Sequence, residues 1–436
     1  MEISSFAWDN DRIGLPSDVA DASALADALS SASGHFALHV QTGDRQHLLA
    51  RDPLGVNKLF FAIDDDGDIQ SSNYLIHLVR AGHHLSNIWS VPSGHVLSID
   101  TARLTLSLQK FSAIRYGDET EESRSIDDYA ADIRQQLDQT FERLSTVVGE
   151  RPVYVTLSGG LDSSTIAAMA SKWLTNVRAV TFCMDSGSGD APASEDLTHA
   201  RLVADYLEIP LQIVTATADE IESLLDVALV FGQDWRDFNV HCALVNATIG
   251  SVIGNQDGAN GASQPVVLTG DTMNELMADY SPVSYRGKEY YSLPRLEPGR
   301  LRRFLVSGLD SGDREVGVFG HYRLDTIQPY AIFANAYTSL PAEYVQNSDA
   351  KQRLVEKVMG DKIPPEIYSR PKVRAQVGSS QQVGGTLAAL VDRGLNGERL
   401  QERFAELLGC DKGDLRRFIH AGFYRFPTQY PRRSTS

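Results

Sequence analysis

The first third of the chain reads as short strands. Residues 34–110 alternate the apolar-rich runs HFALHV, HLLA, KLFFAI, HVLSI and LTLSL with turns at TGD, DPLG, DDDGD and PSG. Strands this closely spaced predict a predominantly β domain. Ahead of them, DASALADALSSA predicts a helix capped by an aspartate, and a further helix is expected near 74–81. The polar stretch YGDETEESRS reads as a linker into a helix at about 126–146. From residue 151 the pattern changes. The β-rich runs VYVTL, AVTFCM, LQIVTA and VVLTG alternate with the helical stretches TIAAMASKWL and EDLTHARLVADYL. Such alternation predicts a parallel sheet covered by helices on both faces. SVIGNQDGANGASQPVV is expected to contain a glycine-rich surface loop, and YSPVSYRGKEYYS reads as a mobile flap. No internal repeat is seen.

At 436 residues the chain is long enough for two domains, and 42% hydrophobic with 22% charged residues describes a soluble globular protein. No apolar run reaches membrane-spanning length, and MEISSFAWDNDR lacks the basic and apolar regions of a signal peptide. Cys183, Cys242 and Cys410 are too scattered for a disulfide framework or a zinc cluster, which fits a cytoplasmic protein. A net charge of −17 weighs against nucleic acid as a partner. Arg416, Arg417, Arg425, Arg432 and Arg433 lie among Phe418, Tyr424 and Phe426, a mixture better read as a helix end and tail than as a nucleic-acid platform.

Candidate chemistry concentrates in Ser158, Gly159, Gly160, Leu161, Asp162, Ser163 and Ser164, between a strand and a helix. Successive N–H groups there can converge on an anion at the positive end of the helix, and the glycines let the backbone come close. Asp162 would repel phosphate unless Mg²⁺ lay between them, so its natural role is metal ligand. The alternative is a purely structural glycine turn. The heptad is neither a Walker A loop nor a dinucleotide fingerprint. It resembles the pyrophosphate loop of the N-type ATP pyrophosphatases, which cleave ATP between its α- and β-phosphates. That resemblance implies a doubly wound α/β domain of the adenine nucleotide α-hydrolase type, with a helical C-terminal part. It also implies ATP and Mg²⁺ as cofactors and an adenine pocket at Leu157, Val180 and Thr181.

TGDTMNELMADY, from Thr269 to Tyr280, looks like the second metal and pyrophosphate segment of asparagine synthetases and β-lactam synthetases. By that likeness Gly270 contacts the nucleotide, and Asp271, Asn274 and Glu275 join Asp162 around the metal. Asn274 departs from the family's usual aspartate, and Asp271 or Glu275 is expected to supply the missing charge. Downstream, HYRLDTIQPYAIFANAYTSLPAEYVQNSDAKQRLVEKV and YSRPKVRAQVGSS resemble the C-terminal part of carbapenam and β-lactam synthetases. The resemblance implies a catalytic tyrosine at Tyr322, a partner glutamate at Glu356 and an essential lysine at Lys372. Asp325 falls where asparagine synthetases carry a glutamate near the acyl-adenylate. Taken singly, each of these has a structural alternative: core, solvated helix face or surface cation.

GHFALHV, LLARDPLGVNKLFF and VPSGHVLSI resemble the later part of a class II glutamine amidotransferase domain, an Ntn-like antiparallel fold. That family attacks glutamine with a cysteine just after the initiator. Here Glu2 follows Met1, and no cysteine precedes Cys183. The resemblance therefore implies a truncated domain at 1–120 without glutaminase activity, serving as a structural layer and dimer contact, and a synthetase domain at 121–436. The expected reaction is adenylation of a small-molecule carboxylate and its capture by an amine. Lactam closure in natural-product biosynthesis is favoured over intermolecular amide formation, a catalytically silent nucleotide-binding remnant, or a sulfur- or tRNA-modifying pyrophosphatase.

Overall fold

The computed structural model describes residues 2–5, 19–32, 34–117, 124–185, 193–257, 263–373, 375–380, 385–420 and 422–431. The chain opens with eight strands: β1 (Glu2–Ser5), β2 (Ala37–Gly43), β3 (Gln46–Arg51), β4 (Phe60–Ile63), β5 (Ile69–Ser72), β6 (Ile88–Ser90), β7 (His95–Asp100) and β8 (Thr105–Lys110). They form two antiparallel sheets, β1-β2-β3-β7-β8 and β5-β4-β6. Alternation along β3 decides what each face does. Leu49 joins Ala37, Phe61, Leu97 and Ile99 in one apolar cluster, whereas Leu48 and Ala50 turn the other way into the main core. The helix Ala22–Ser30 covers that second face with Leu25, Ala26 and Leu29, and Asp21 caps it as expected, accepting from the N–H groups of Ser23 and Ala24.

The second part is a five-stranded parallel sheet of β9 (Val153–Thr156), β10 (Val177–Met184), β11 (Leu211–Ala216), β12 (Val266–Leu268) and, after the hairpin β13 (Val283–Tyr285) and β14 (Lys288–Tyr290), β15 (Asp325–Ile327). Its order is β11-β10-β9-β12-β15. The central strands β9 and β12 are buried on both faces. Val153, Val155, Val266 and Leu268 face one core with the helices Ile126–Val148 and Leu161–Trp173, while Tyr154 and Val267 face a second with Asp237–Asp257. The order reverses between β9 and β12, so their carboxyl ends flank the crevice where such sheets bind ligands.

One strand escapes the sequence reading and two expectations change. The edge strand β15 is only three residues long, too short for its pattern to stand out. The helix Asp237–Asp257 continues into the segment expected to hold the glycine-rich loop, whose residues 258–262 lie outside the described set. The segment read as a flap forms a hairpin, β13–β14, tied by Tyr285 Oη and the Arg286 guanidinium to Asp392. The boundary expected at residue 120 falls within 118–123, also outside the described residues. Among the described residues no helix is long and apolar enough to cross a membrane.

Two arginines knit the parts together. Arg51, fully buried, donates to the carbonyls of Gly55, Asn57 and Val91 and pairs with Asp310 at 2.9 Å. Arg425, near the far end of the chain, lies 3.9 Å over the Trp89 ring and donates to the carbonyls of Ser86 and Ile88, while Ser90 N–H donates to its carbonyl.

Candidate active site

The crevice at the carboxyl ends of β9 and β12 is a cavity of about 520 Å³. β9 ends at Thr156, Leu157 N–H still donates to Val180 on β10, and the chain then turns into the helix Leu161–Trp173. Gly159 makes that turn at φ +70°, and a Cβ there would sit 2.4 Å from His199 Cβ, so only glycine fits. Gly160 is the N-cap and supplies no side-chain cap, which leaves N–H groups of the first turn available to an anion. Ser158 Oγ and Ser163 Oγ lie 3.2 Å apart at its mouth. Ser164 is fully buried and turned into the fold, and neither it nor Gly159 lines the cavity.

From the other side, Gly270 follows β12 so closely that a Cβ would meet Ser163 N at 2.8 Å. Thr272 then adopts φ +79°, a costly conformation for a β-branched residue, with its hydroxyl bonded to Gln328 Oε1 at 2.8 Å. That strained turn starts the short helix Met273–Met277 and directs Asn274 and Glu275 to the cavity. Lys351, only 2% exposed, reaches in from the helix Ser348–Met359. Its Nζ lies 2.8 Å from Asp162, 3.0 Å from Asp279 and 3.3 Å from Asn274 Oδ1. Lys372 donates to Asn274 and, at 3.0 Å, to Asp279.

These contacts set the charges. Burial alone would lower Lys351 and raise Asp279, but the carboxylates of Asp162 and Asp279 hold Lys351 above its ordinary range, and Lys351 with Lys372 holds Asp279 well below its own. Lys372 is pushed down to about 8 by burial of its inward-turned ammonium and by the neighbouring Lys351. Arg370 donates to Ser158 O at 2.8 Å and pairs with Asp196, whose carboxyl burial pushes up to about 6 against the pull of that guanidinium. A second group centres on Arg314, which lies 2.6 Å from Glu315, 3.0 Å from Glu275 and 3.5 Å from Asp271. Burial holds Glu315 far above the usual carboxylate range, and Arg314 offsets this only in part.

The cavity therefore gathers Leu157, Ser158, Gly160, Asp162, Ser163, Val180, Thr181 and Gly270, together with Asp271, Asn274, Glu275 and Lys372. It does not gather Tyr322, Glu356 or Asp325. Tyr322 ends the helix Val316–His321 and packs on the helix Asp237–Asp257, where a Cβ at Gly250 would meet its ring at 2.6 Å. Glu356 shares a helix with Lys351, but five residues turn it about 140° away, and it is exposed. Asp325 begins β15 at the amino edge of the sheet, paired with Arg151 at 2.9 Å. Three residues on, about 10 Å along the strand, Gln328 reaches the cavity instead. Sequence reasoning missed Lys351, Asp279, Arg370, Arg314 and Gln328. Of these, Asp279 stood inside the Thr269–Tyr280 segment, Gln328 and Lys351 inside HYRLDTIQPYAIFANAYTSLPAEYVQNSDAKQRLVEKV, and Arg370 inside YSRPKVRAQVGSS, while Arg314 lay outside them all.

A family model described as asparagine synthase matches residues 132–312, which span the phosphate loop and the Thr269–Tyr280 segment. The glutamine-hydrolyzing asparagine synthetase of Cricetulus griseus is 24% identical over 386 residues, covering 81% of this chain and 64% of that protein. The human protein of the same name is 24% identical over 365 residues, covering 76% and 61%. A second asparagine synthetase, from Lotus japonicus, reaches 29% over 199 residues, 43% of this chain and 31% of that protein. The chain thus spans about three fifths of the length of the first of these relatives. Among solved structures, an NMN synthetase from Francisella tularensis aligns with TM-score 0.30 and 14% identity, over 66% of this chain and 88% of that one. An NH3-dependent NAD synthetase from Campylobacter jejuni aligns with TM-score 0.25 and 17% identity, over 40% and 73%. Lys351, Arg370 and Lys372 lie beyond the residues that the family model matches, yet their side chains line the same cavity.

Proposed function

We propose that this protein is an ATP-dependent ligase that activates a carboxylate as its adenylate and then forms an amide. One observation carries the reading: an uncapped helix start between two glycine turns, at the point where the sheet order reverses, faces three cations, the buried Lys351 and Arg370 and the more exposed Lys372. That set suits a polyphosphate. The adenine would lie against Leu157, Val180 and Thr181. A carboxylate oxygen attacks the α-phosphorus, the bond to the β-phosphate breaks, and pyrophosphate leaves with its charge met by Lys351 and Lys372. An amine then attacks the acyl carbon, gives up its proton, and AMP departs. The departing AMP phosphate can take that proton, the role first given to Tyr322 and Glu356, because burial holds Glu315 at the cavity wall too far above the carboxylate range to act as the base.

Mg²⁺ fits part of the expected donor set. This ion usually takes one or two protein oxygens beside those of phosphate. Asp162 and Asn274, both within reach of Lys351, are suited to that, whereas Asp271 and Glu275 are directed to Arg314. Among the described residues no three His, Cys, Asp or Glu side chains converge on one point. When bound, Mg²⁺ would neutralise phosphate charge.

The N-terminal sheets are proposed to be structural. Arg51 of the RDPLG element is consumed by backbone carbonyls and Asp310, leaving it no reach toward a free glutamine, and the same loop sends Val56 and Lys58 into the cavity wall. Lactam closure is one finer form of the proposal, the one that the likeness of Tyr322, Glu356 and Lys372 favoured, and capture by a second amine is the other. Product analysis with ATP, Mg²⁺ and a panel of β-amino and amino-dicarboxylic acids decides. AMP without ammonia, with a product lighter by one water, establishes the lactam, while AMP only with ammonia or a second amine establishes the intermolecular ligase. A protein that binds no ATP analogue and yields no AMP with any acid refutes adenylation. Conversion of glutamine to glutamate would overturn the structural role of the first domain.

A further inference from the structure

Part of the cavity wall bears none of the charged machinery. Ile249 comes from the helix Asp237–Asp257, Leu293 from the segment after the hairpin, Phe304 and Leu305 from the helix Pro298–Gly308, and Phe423 from near the C-terminus. Helix Pro298–Gly308 buries Leu301 and Val306 against the fold, and that register turns Phe304 to the cavity. Phe304 is 41% exposed, one of few large apolar side chains left so open among the described residues, and Leu296 just before the helix is 39% exposed. A wet aromatic ring at a concave wall continuous with a polyphosphate site gains free energy only when something apolar covers it. A short polar acid would leave the ring wet and desolvate its own polar groups against Leu293 and Leu305 without partners.

We infer that the carboxylic acid activated at this site carries an apolar arm of several carbons that lies against Phe304 and Phe423. The inference rests on the adenylation reading for the fate of the carboxylate, but not for the binding of the arm. Phe304 is then a specificity-determining residue, because the charged groups around Asp162 and Arg314 meet head groups that any amino acid could offer, whereas the arm is met by this wall alone.

The test is a titration of the full-length protein with n-alkanoates from butanoate to octanoate, with a non-hydrolysable ATP analogue saturating. Burial of each added CH₂ is worth about 0.8 kcal/mol, so each should tighten binding about fourfold until the wall is covered. Phe304→Ala should flatten that slope to less than twofold per carbon, and Phe304→Leu should restore most of it. A flat series in the native protein, or an equal slope in Phe304→Ala, overturns the inference. An acid that binds with the expected slope but supports no ATP–pyrophosphate exchange counts for the arm pocket and against adenylation, so the two readings fail separately.

Discussion

Replacing Lys351 by methionine should cost far more than losing a surface cation, and most of that cost should disappear if Asp279 is neutralised as well. The side chain of Lys351 is 3% exposed and lies 3.0 Å from Asp279, itself 8% exposed. At that separation, and at an effective dielectric of about 20, the attraction is about 5 kcal/mol. Loss of one partner from a buried pair typically costs about 3–5 kcal/mol, because the other charge stays buried. Lys351→Met keeps the aliphatic stem and deletes the charge, so about 3 kcal/mol is expected. Asp279 keeps Lys372 at 3.0 Å as a remaining partner, which places the value at the lower end. Lys351→Met with Asp279→Asn should show a coupling of about 2 kcal/mol in a double-mutant cycle. The assay is urea unfolding followed by far-UV circular dichroism. Costs that add to within about 0.5 kcal/mol would mean that the lysine and the aspartate act independently, and the picture of a charge cluster at the cavity floor would be wrong.

Other outcomes follow from the same geometry. Gly159→Ala should abolish binding of an ATP analogue, since its Cβ would collide with the His199-bearing helix at 2.4 Å, and calorimetry reads this directly. Tyr322→Phe should leave kcat/KM within about twofold of the native value, because the ring packs on the helix Asp237–Asp257 and not on the cavity; a loss of a hundredfold would restore the tyrosine to the chemistry. Lys372 should titrate at about 8 in the free protein, so affinity for an ATP analogue should fall above that pH, by up to tenfold per unit, and Lys372→Arg should abolish the fall. The sign for stability is opposite. Between about 8 and the unfolded lysine value near 10.4 the unfolded chain binds the proton more readily, so this residue makes the native state gain stability as pH rises through that window.

The elements legible in the sequence are those whose local pattern and tertiary role agree. β9 reads as a strand because both its faces are apolar, Val153 and Val155 on one side and Tyr154 on the other. The phosphate loop is legible because its chemistry lies within seven consecutive residues. What escaped depends on distances the chain does not announce. Lys351 looks like any helix cation until the fold sets it between Asp162 and Asp279. Family likeness pointed to Asp325, and only the direction of β15 shows that Gln328, just past the other end of that three-residue strand, is the one lining the cavity. Likeness pointed to Glu356 in the same way, and the helical period sets it on a different face from Lys351.

The Arg425 strap has a consequence for synthesis. Its guanidinium sits on Trp89 and its backbone completes the edge of β6, so the second sheet of the first domain lacks a neighbour until the last part of the chain has been made. Some 335 residues separate Ser90 from Arg425, by subtraction of their numbers. At translation rates of about 5–20 residues per second, that interval is roughly 20–70 s. For that time the nascent chain carries an open strand edge and an uncovered indole, a natural target for a holdase on the ribosome.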